Sequence, residues 1–179
     1  MAPDKLGQSQ SMQSKSGSFE YSLEVDIVTN GKNWPQTLMG KPIQVLVNTL
    51  IYAVLNECEI PLKGDAELCI VLSDDEEQRR LNDKWRSKDK ATNVLSFPLL
   101  APFSSPTGML GDIILARQTI AIEATQQDKA FDEHVVHLIA HGFLHILGYD
   151  HETKSDADIM EAHEISILAR FGILNPYSV

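Results

Sequence analysis

Residues 141–151 read HGFLHILGYDH, and the spacing of its histidines, His-x-x-x-His-x-x-Gly-x-x-His, decides how the rest of the chain is read. Two imidazoles four residues apart on a helix stand on one face, one turn above the other. Gly148 can take the left-handed conformation that ends a helix. The chain then turns, which can bring His151 back towards His141 and His145. Three neutral imidazoles converging from one side suit a divalent metal and leave a coordination position open, as a catalytic site requires.

The helical pattern continues upstream. His134, His137, His141 and His145 fall within an arc of about 80° on a helical wheel. Val135, Val136, Ile139, Phe143, Ile146 and Leu147 cover the other side. A helix apolar over most of its surface is expected to be buried. Burying several imidazoles costs free energy unless each has a partner, and a metal is that partner for two of them. For any single histidine, a hydrogen-bonded core residue explains as much; the triple around Gly148 is what favours a metal. His137 is expected to be structural, although its place one turn before His141 also suits a group behind a ligand. His134 should be partly exposed near the helix start. His163, among Glu161 and Glu164, reads as a packing or surface residue. Zinc peptidase helices read His-Glu-x-x-His with the glutamate as general base. Here Gly142 stands at that position, which argues against peptide hydrolysis by that route.

The flanking segments supply a sheet and further helices. YSLEVDIVT (21–29) alternates as a half-buried strand does. Pro42 can open a helix, and IQVLVNTLIYAVLNE carries Val45, Leu46, Leu50, Val54 and Leu55 at helical spacing. AELCIVLS (66–73) reads as a second strand. Ser73 with Glu76 is a capping-box signature for a helix through DDEEQRRLNDKW. TNVLSFP (92–98) and LGDIILA (110–116) read as two more strands. The loop between them favours an antiparallel pair. Helical patterns follow at 117–128, 132–147 and 155–171. The expectation is an α/β (α+β-like) fold: a small mixed four-stranded sheet packed with about five helices, the metal site lying on the late His-x-x-x-His helix.

The chain has 179 residues, enough for one substantial core. Residues 1–18 are rich in Ser, Gln and Lys and poor in apolar groups; they read as a disordered tail, with 19–179 forming a single domain. No apolar run is long enough to span a bilayer, and no secretory signal is visible. Cys58 and Cys69 lie among apolar residues and read as reduced core thiols, which favours a cytoplasmic protein. The net charge of −10 argues against broad nonspecific binding to nucleic acid. From Arg79 to Lys90, however, six bases face two acids, a local net charge of +4 that can hold a polyanion at one place.

Three segments, LNDKWRSKDKATNVLSFP (81–98), GDIIL (111–115) and HGFLHILGYDH (141–151), resemble the YbeY family of bacterial and organellar endoribonucleases, in family order and at family-like separations. The resemblance implies that His141, His145 and His151 are zinc ligands, one ion per chain, and that Arg86 is a functional arginine. Trp85 stands where the family often has tyrosine or phenylalanine. The resemblance also implies cleavage of single-stranded RNA in ribosomal RNA maturation, including the 3′ end of the small-subunit RNA. Ribosome quality control and association with the ribosome or its assembly factors are implied with it. Without it, Arg86 would be one more exposed base.

A metal on three neutral ligands keeps its full charge. It can lower the pKa of a bound water to about 7, or polarise a phosphoryl oxygen for attack by the RNA 2′-hydroxyl; the residues leave both routes open. Zinc and nickel both accept imidazole. Arg86 is the candidate for the scissile phosphate, because its planar fork makes two charge-assisted hydrogen bonds. Lys88 and Lys90 can guide neighbouring phosphates. Asp150 and Glu152 read first as solvated loop carboxylates, either of which can also orient a ligand or accept a proton; Asn93 and Ser96 read equally as strand-end residues or as lining of the cleft. Two other readings compete: an atypical metallopeptidase, and a non-catalytic ribosome assembly factor whose metal is structural.

Overall fold

The computed structural model describes residues 21–178. The tail expected at 1–18 lies outside the described residues. The elements follow the order β1 (Leu23–Thr29), β2 (Thr37–Leu38), β3 (Lys41–Pro42), α1 (Ile43–Glu57), β4 (Ala66–Ser73), α2 (Asp75–Arg86), β5 (Val94–Pro98), β6 (Gly108–Ala116), α3 (Arg117–Gln126), α4 (Phe131–Leu147) and α5 (Lys154–Ala169). Four strands form one mixed sheet in the order β1-β4-β6-β5. β1 and β4 pair in parallel, joined across α1, and β4 pairs in parallel with β6. β5 runs antiparallel to β6 at the open edge, as the loop between them led us to expect.

α4 is the centre of the molecule. Val135, Ile139, Phe143, Leu144 and Ile146 on it are all fully or nearly fully buried. It packs on β5 and β6 on one side and on α1, α3 and α5 on others. On α1 the buried stripe is Leu46, Leu50, Val54 and Leu55, whereas Val45 points outward and is 54% exposed. Among the described residues, no helix is long and apolar enough to cross a membrane. Cys58 and Cys69 are both free and half-buried, and burial pushes both thiols up.

Two local expectations shift. The cap of α2 is Asp74, one residue later than the Ser73 frame; its carboxylate accepts from Glu77 N–H at 3.1 Å. Ser73 instead ends β4, fully buried, and its carbonyl accepts from Trp34 Nε1 at 2.9 Å. The short antiparallel pair β2–β3 was not expected from the sequence. It leads into α1 through Pro42, which caps the helix from the extended region instead of starting its first turn.

Candidate active site

The three histidines come together because α4 ends where the motif says it should. Gly148 takes a φ of +106° as the cap of α4. A Cβ there would lie 2.7 Å from Pro102 Cα and 2.9 Å from Phe103 N, so both conformation and space require glycine. Tyr149 N–H donates to Leu144 O at 3.1 Å and Phe103 N–H to Leu147 O at 2.9 Å, which satisfies two of the last carbonyls of the helix. The chain then carries His151 back over the helix end. The ring centres of His141 and His151 are 5.5 Å apart, and those of His145 and His151 are 5.1 Å apart. One nitrogen from each of His141, His145 and His151 lies within 4.8 Å of the others.

Hydrogen bonds fix which nitrogens face inward. His145 Nδ1 donates to the Tyr149 carbonyl at 2.9 Å, which leaves Nε2 as the bare nitrogen of the neutral ring. Burial, then the neighbouring His141 ring, push the His145 imidazole down to about 4 against the pull of that carbonyl. His141 Nδ1 lies 2.7 Å from Glu164 Oε1. Burial alone would raise the Glu164 carboxyl, but hydrogen bonds from His137 and His141 outweigh it and hold it down at about 2. Glu164 is therefore an anion that accepts from His141 Nδ1, and in the neutral ring this leaves Nε2 as the bare nitrogen. The two Nε2 atoms face each other at 3.1 Å. Two lone pairs at that distance repel unless positive charge lies between them, so the donor set fits a divalent cation.

Glu164 reads in the sequence only as a neighbour of His163, but the structure brings it onto His137 and His141. It has no exposed surface and sits behind the histidine stripe. Its other oxygen accepts from His137 Nε2 at 2.7 Å and from the Tyr177 hydroxyl. His137 is thus tied to His141 through one shared carboxylate. His134 is 4% exposed, not partly open as expected, because α3 covers the start of α4; its Nε2 lies 3.0 Å from Glu123 Oε2. His163 packs edge-on against Tyr149 with ring centres 5.0 Å apart, as a packing residue should.

A cavity of about 550 Å³ opens over the trio, and Arg86 lines it together with His141, His145 and His151. Asn93, Ser96, Asp150 and Glu152 line it too. Ser96 Oγ donates to Gly142 O at 3.1 Å and so holds β5 to α4. Asn93 Nδ2 donates to Glu123 Oε2 at 2.8 Å. Asp150 Oδ1 accepts from Glu152 N–H at 3.0 Å. Lys88 and Lys90 are exposed and do not line the cavity. Gly142 faces the sheet: a Cβ there would lie 2.9 Å from Ile113 Cγ2 and 3.0 Å from Ser96 Oγ. There is no room for a peptidase-type glutamate at this position.

Comparison with known proteins gives the family and the fold. The family described as Endoribonuclease YbeY matches residues 28–172. A relative from Agrobacterium fabrum named Endoribonuclease YbeY is 43% identical over 162 residues, covering 88% of this chain and 96% of its own length. One of the same name from Rhodopseudomonas palustris is 53% identical over 118 residues, covering 64% of this chain and 62% of its own. The solution structure of the Thermotoga maritima protein TM1509 superimposes with a TM-score of 0.53 at 22% identity, covering 83% of this chain and 91% of that one; it supports the fold.

Proposed function

The chain belongs to the YbeY family of endoribonucleases, and from that premise we propose that it cuts single-stranded RNA at a divalent cation held by His141, His145 and His151, with Arg86 on the scissile phosphate. The observation that carries this reading is the single cavity lined by Arg86 and all three histidines. Among the described residues, no hydrogen bond or ion pair engages the Arg86 guanidinium, so its fork is available to two phosphoryl oxygens. Glu164 and the Tyr149 carbonyl hold the rings of His141 and His145 with their bare nitrogens inward. Asp150 and Glu152 stand at the cavity wall beside His151, where either can accept a proton from the attacking group. The cation, zinc by the family resemblance with nickel chemically admissible, supplies positive charge beside the reacting phosphate and makes water more acidic.

We assign the activity to ribosomal RNA maturation, at the 3′ end of the small-subunit RNA, and to ribosome quality control. The ribosome or its assembly factors are the proposed partners. The unbridged cysteines favour a cytoplasmic setting. Metal analysis paired with a ribonuclease assay on single-stranded RNA tests the reading. His145→Ala is expected to lose both metal and cleavage. Arg86→Ala is expected to keep the metal and lose cleavage by about 100-fold or more, the usual effect of removing one preorganised electrostatic contact. Full cleavage by metal-free protein would refute it.

A further inference from the structure

α2 is a strongly polar helix on which only Gln78 and Asn82 are buried. Trp85 follows them on the same face, at the spacing i, i+4, i+7. That face is pinned: Gln78 Nε2 donates to Ile114 O at 3.0 Å and Asn82 Nδ2 to Lys90 O at 2.7 Å. Trp85 is thereby carried past the edge of the core. Its ring touches Phe97 edge-on, with centres 6.3 Å apart, and stays 62% exposed. Phe97 lies on β5, the open edge of the sheet, and adjoins Ser96, whose side chain bonds α4; by the strand pleat Phe97 faces the other way. The indole and the cavity therefore flank the same strand edge.

The charge around this indole has one dominant sign. Lys84 Nζ lies 5.1 Å from the centre of the Trp85 ring. Arg86, the next residue, lines the cavity. Among the described residues, no hydrogen bond or ion pair engages the side chains of Lys88 and Lys90, while Asp89 is occupied by Arg79. Ser87 at φ +53° reverses the chain, and this fold-back returns the Lys88 N–H and the Lys90 carbonyl to Asn82, one turn before Trp85.

An exposed flat aromatic set among free cations, next to a phosphate-binding arginine, matches a single nucleic-acid strand: phosphates for the cations and an unpaired base for the ring. Resting on the RNA-cleavage reading above, we propose that Trp85 is a stacking platform for a base neighbouring the phosphate on Arg86, with the strand leaving the cavity over the edge of β5. Bases in a duplex already stack on one another and offer no free face, so the platform also selects single strands.

The chain has two tryptophans, and the other, Trp34, is buried with its Nε1 bonded to Ser73 O, so emission that responds to a strand reports on Trp85. The experiment titrates the full chain with 2′-O-methyl RNA, single-stranded and as a duplex, and follows tryptophan emission. The anisotropy of labelled strand is followed for wild type, Trp85→Phe and Trp85→Leu, with cleavage of ordinary RNA measured alongside. Expected are quenching by the single strand and none by the duplex, near-wild-type affinity for Trp85→Phe, and about tenfold weaker binding for Trp85→Leu at unchanged melting temperature. Strand binding that leaves Trp85 emission unchanged, or Trp85→Leu binding as tightly as wild type, overturns the platform while the nuclease reading stands. A wild type that neither binds nor cuts RNA overturns both.

Discussion

Glu164 shows what one buried charge can organise. Three groups, His137, His141 and the Tyr177 hydroxyl, donate to its two oxygens, and it has no exposed surface. A carboxylate in that position survives only because every lone pair in use is matched by a donor. Its negative charge would make His141 a better ligand for the proposed cation, and its geometry fixes the ring's tautomer. Glu164→Gln keeps the shape but removes the charge, and turns one of the two accepting oxygens into a donor facing donors. Metal affinity is expected to fall about 10- to 100-fold, read by competition with a chromogenic chelator. An unchanged affinity would show that the carboxylate only packs. A trace of Glu164 was visible in the sequence: Met160, Glu164, Ile167 and Leu168 occupy one helical face, and an acid on a buried face needs partners. Arg86 is the opposite case. It is one of six bases in its segment; composition does not distinguish it, whereas the family resemblance and the cavity it lines do.

At the scale of elements, the joint between α4 and the sheet is what places the trio. Gly142 lets the helix approach β5 and β6 so closely that a Cβ would lie 2.9 Å from Ile113 Cγ2, on a buried and branched side chain that cannot swing away. Helix propensity alone would favour alanine there by about 1 kcal/mol. The overpacking opposes it by about 1–3 kcal/mol, and the helix must lift from β6, which carries Ile113, and from β5, which carries Ser96. Gly142→Ala is therefore expected to lower stability on net, by up to roughly 2 kcal/mol, and to reduce cleavage by displacing His141 and His145 from Arg86. Urea unfolding and the ribonuclease assay check the two halves. A stabilised variant would mean that the contact relaxes freely. The long elements were legible beforehand because their periods are strong: α4 carries an apolar surface broken by a histidine stripe, and β4 is a run of alternating burial. The start of α2 was ambiguous by one residue, since Ser73 and Asp74 each stand three before a glutamate. Strand pairing resolved it, by committing Ser73 to β4. The two-residue strands β2 and β3 carry no period to read. The burial of His134 depends on α3 arriving from elsewhere in the chain, which no local pattern reports.

At the scale of the whole molecule, the core and the histidine trio are separable. Leu50, Ile51 and Val54 of α1, Ile70 of β4, Ile113 and Leu115 of β6, and Phe143 and Leu144 of α4 are all fully buried, and none depends on an ion. His141 and His145 are half-buried and His151 is exposed, so the three rings sit at the rim of that core. The turn that carries His151 is held by its own contacts: the Gly148 cap, the Phe103 N–H on Leu147 O, and the Tyr149 carbonyl on His145 Nδ1. A domain with this much apolar burial does not need a metal to fold, unlike the small domains whose binding energy is their folding energy. Chelation is therefore expected to abolish RNA cleavage while leaving the far-ultraviolet circular dichroism spectrum intact. The melting temperature should fall by about 10 °C or less, the scale set by losing a ligand held at about 100 times its Kd in a domain of this size. A chain that unfolds when the metal is removed would point instead to a structural ion. The assembly-factor reading would then be the better one.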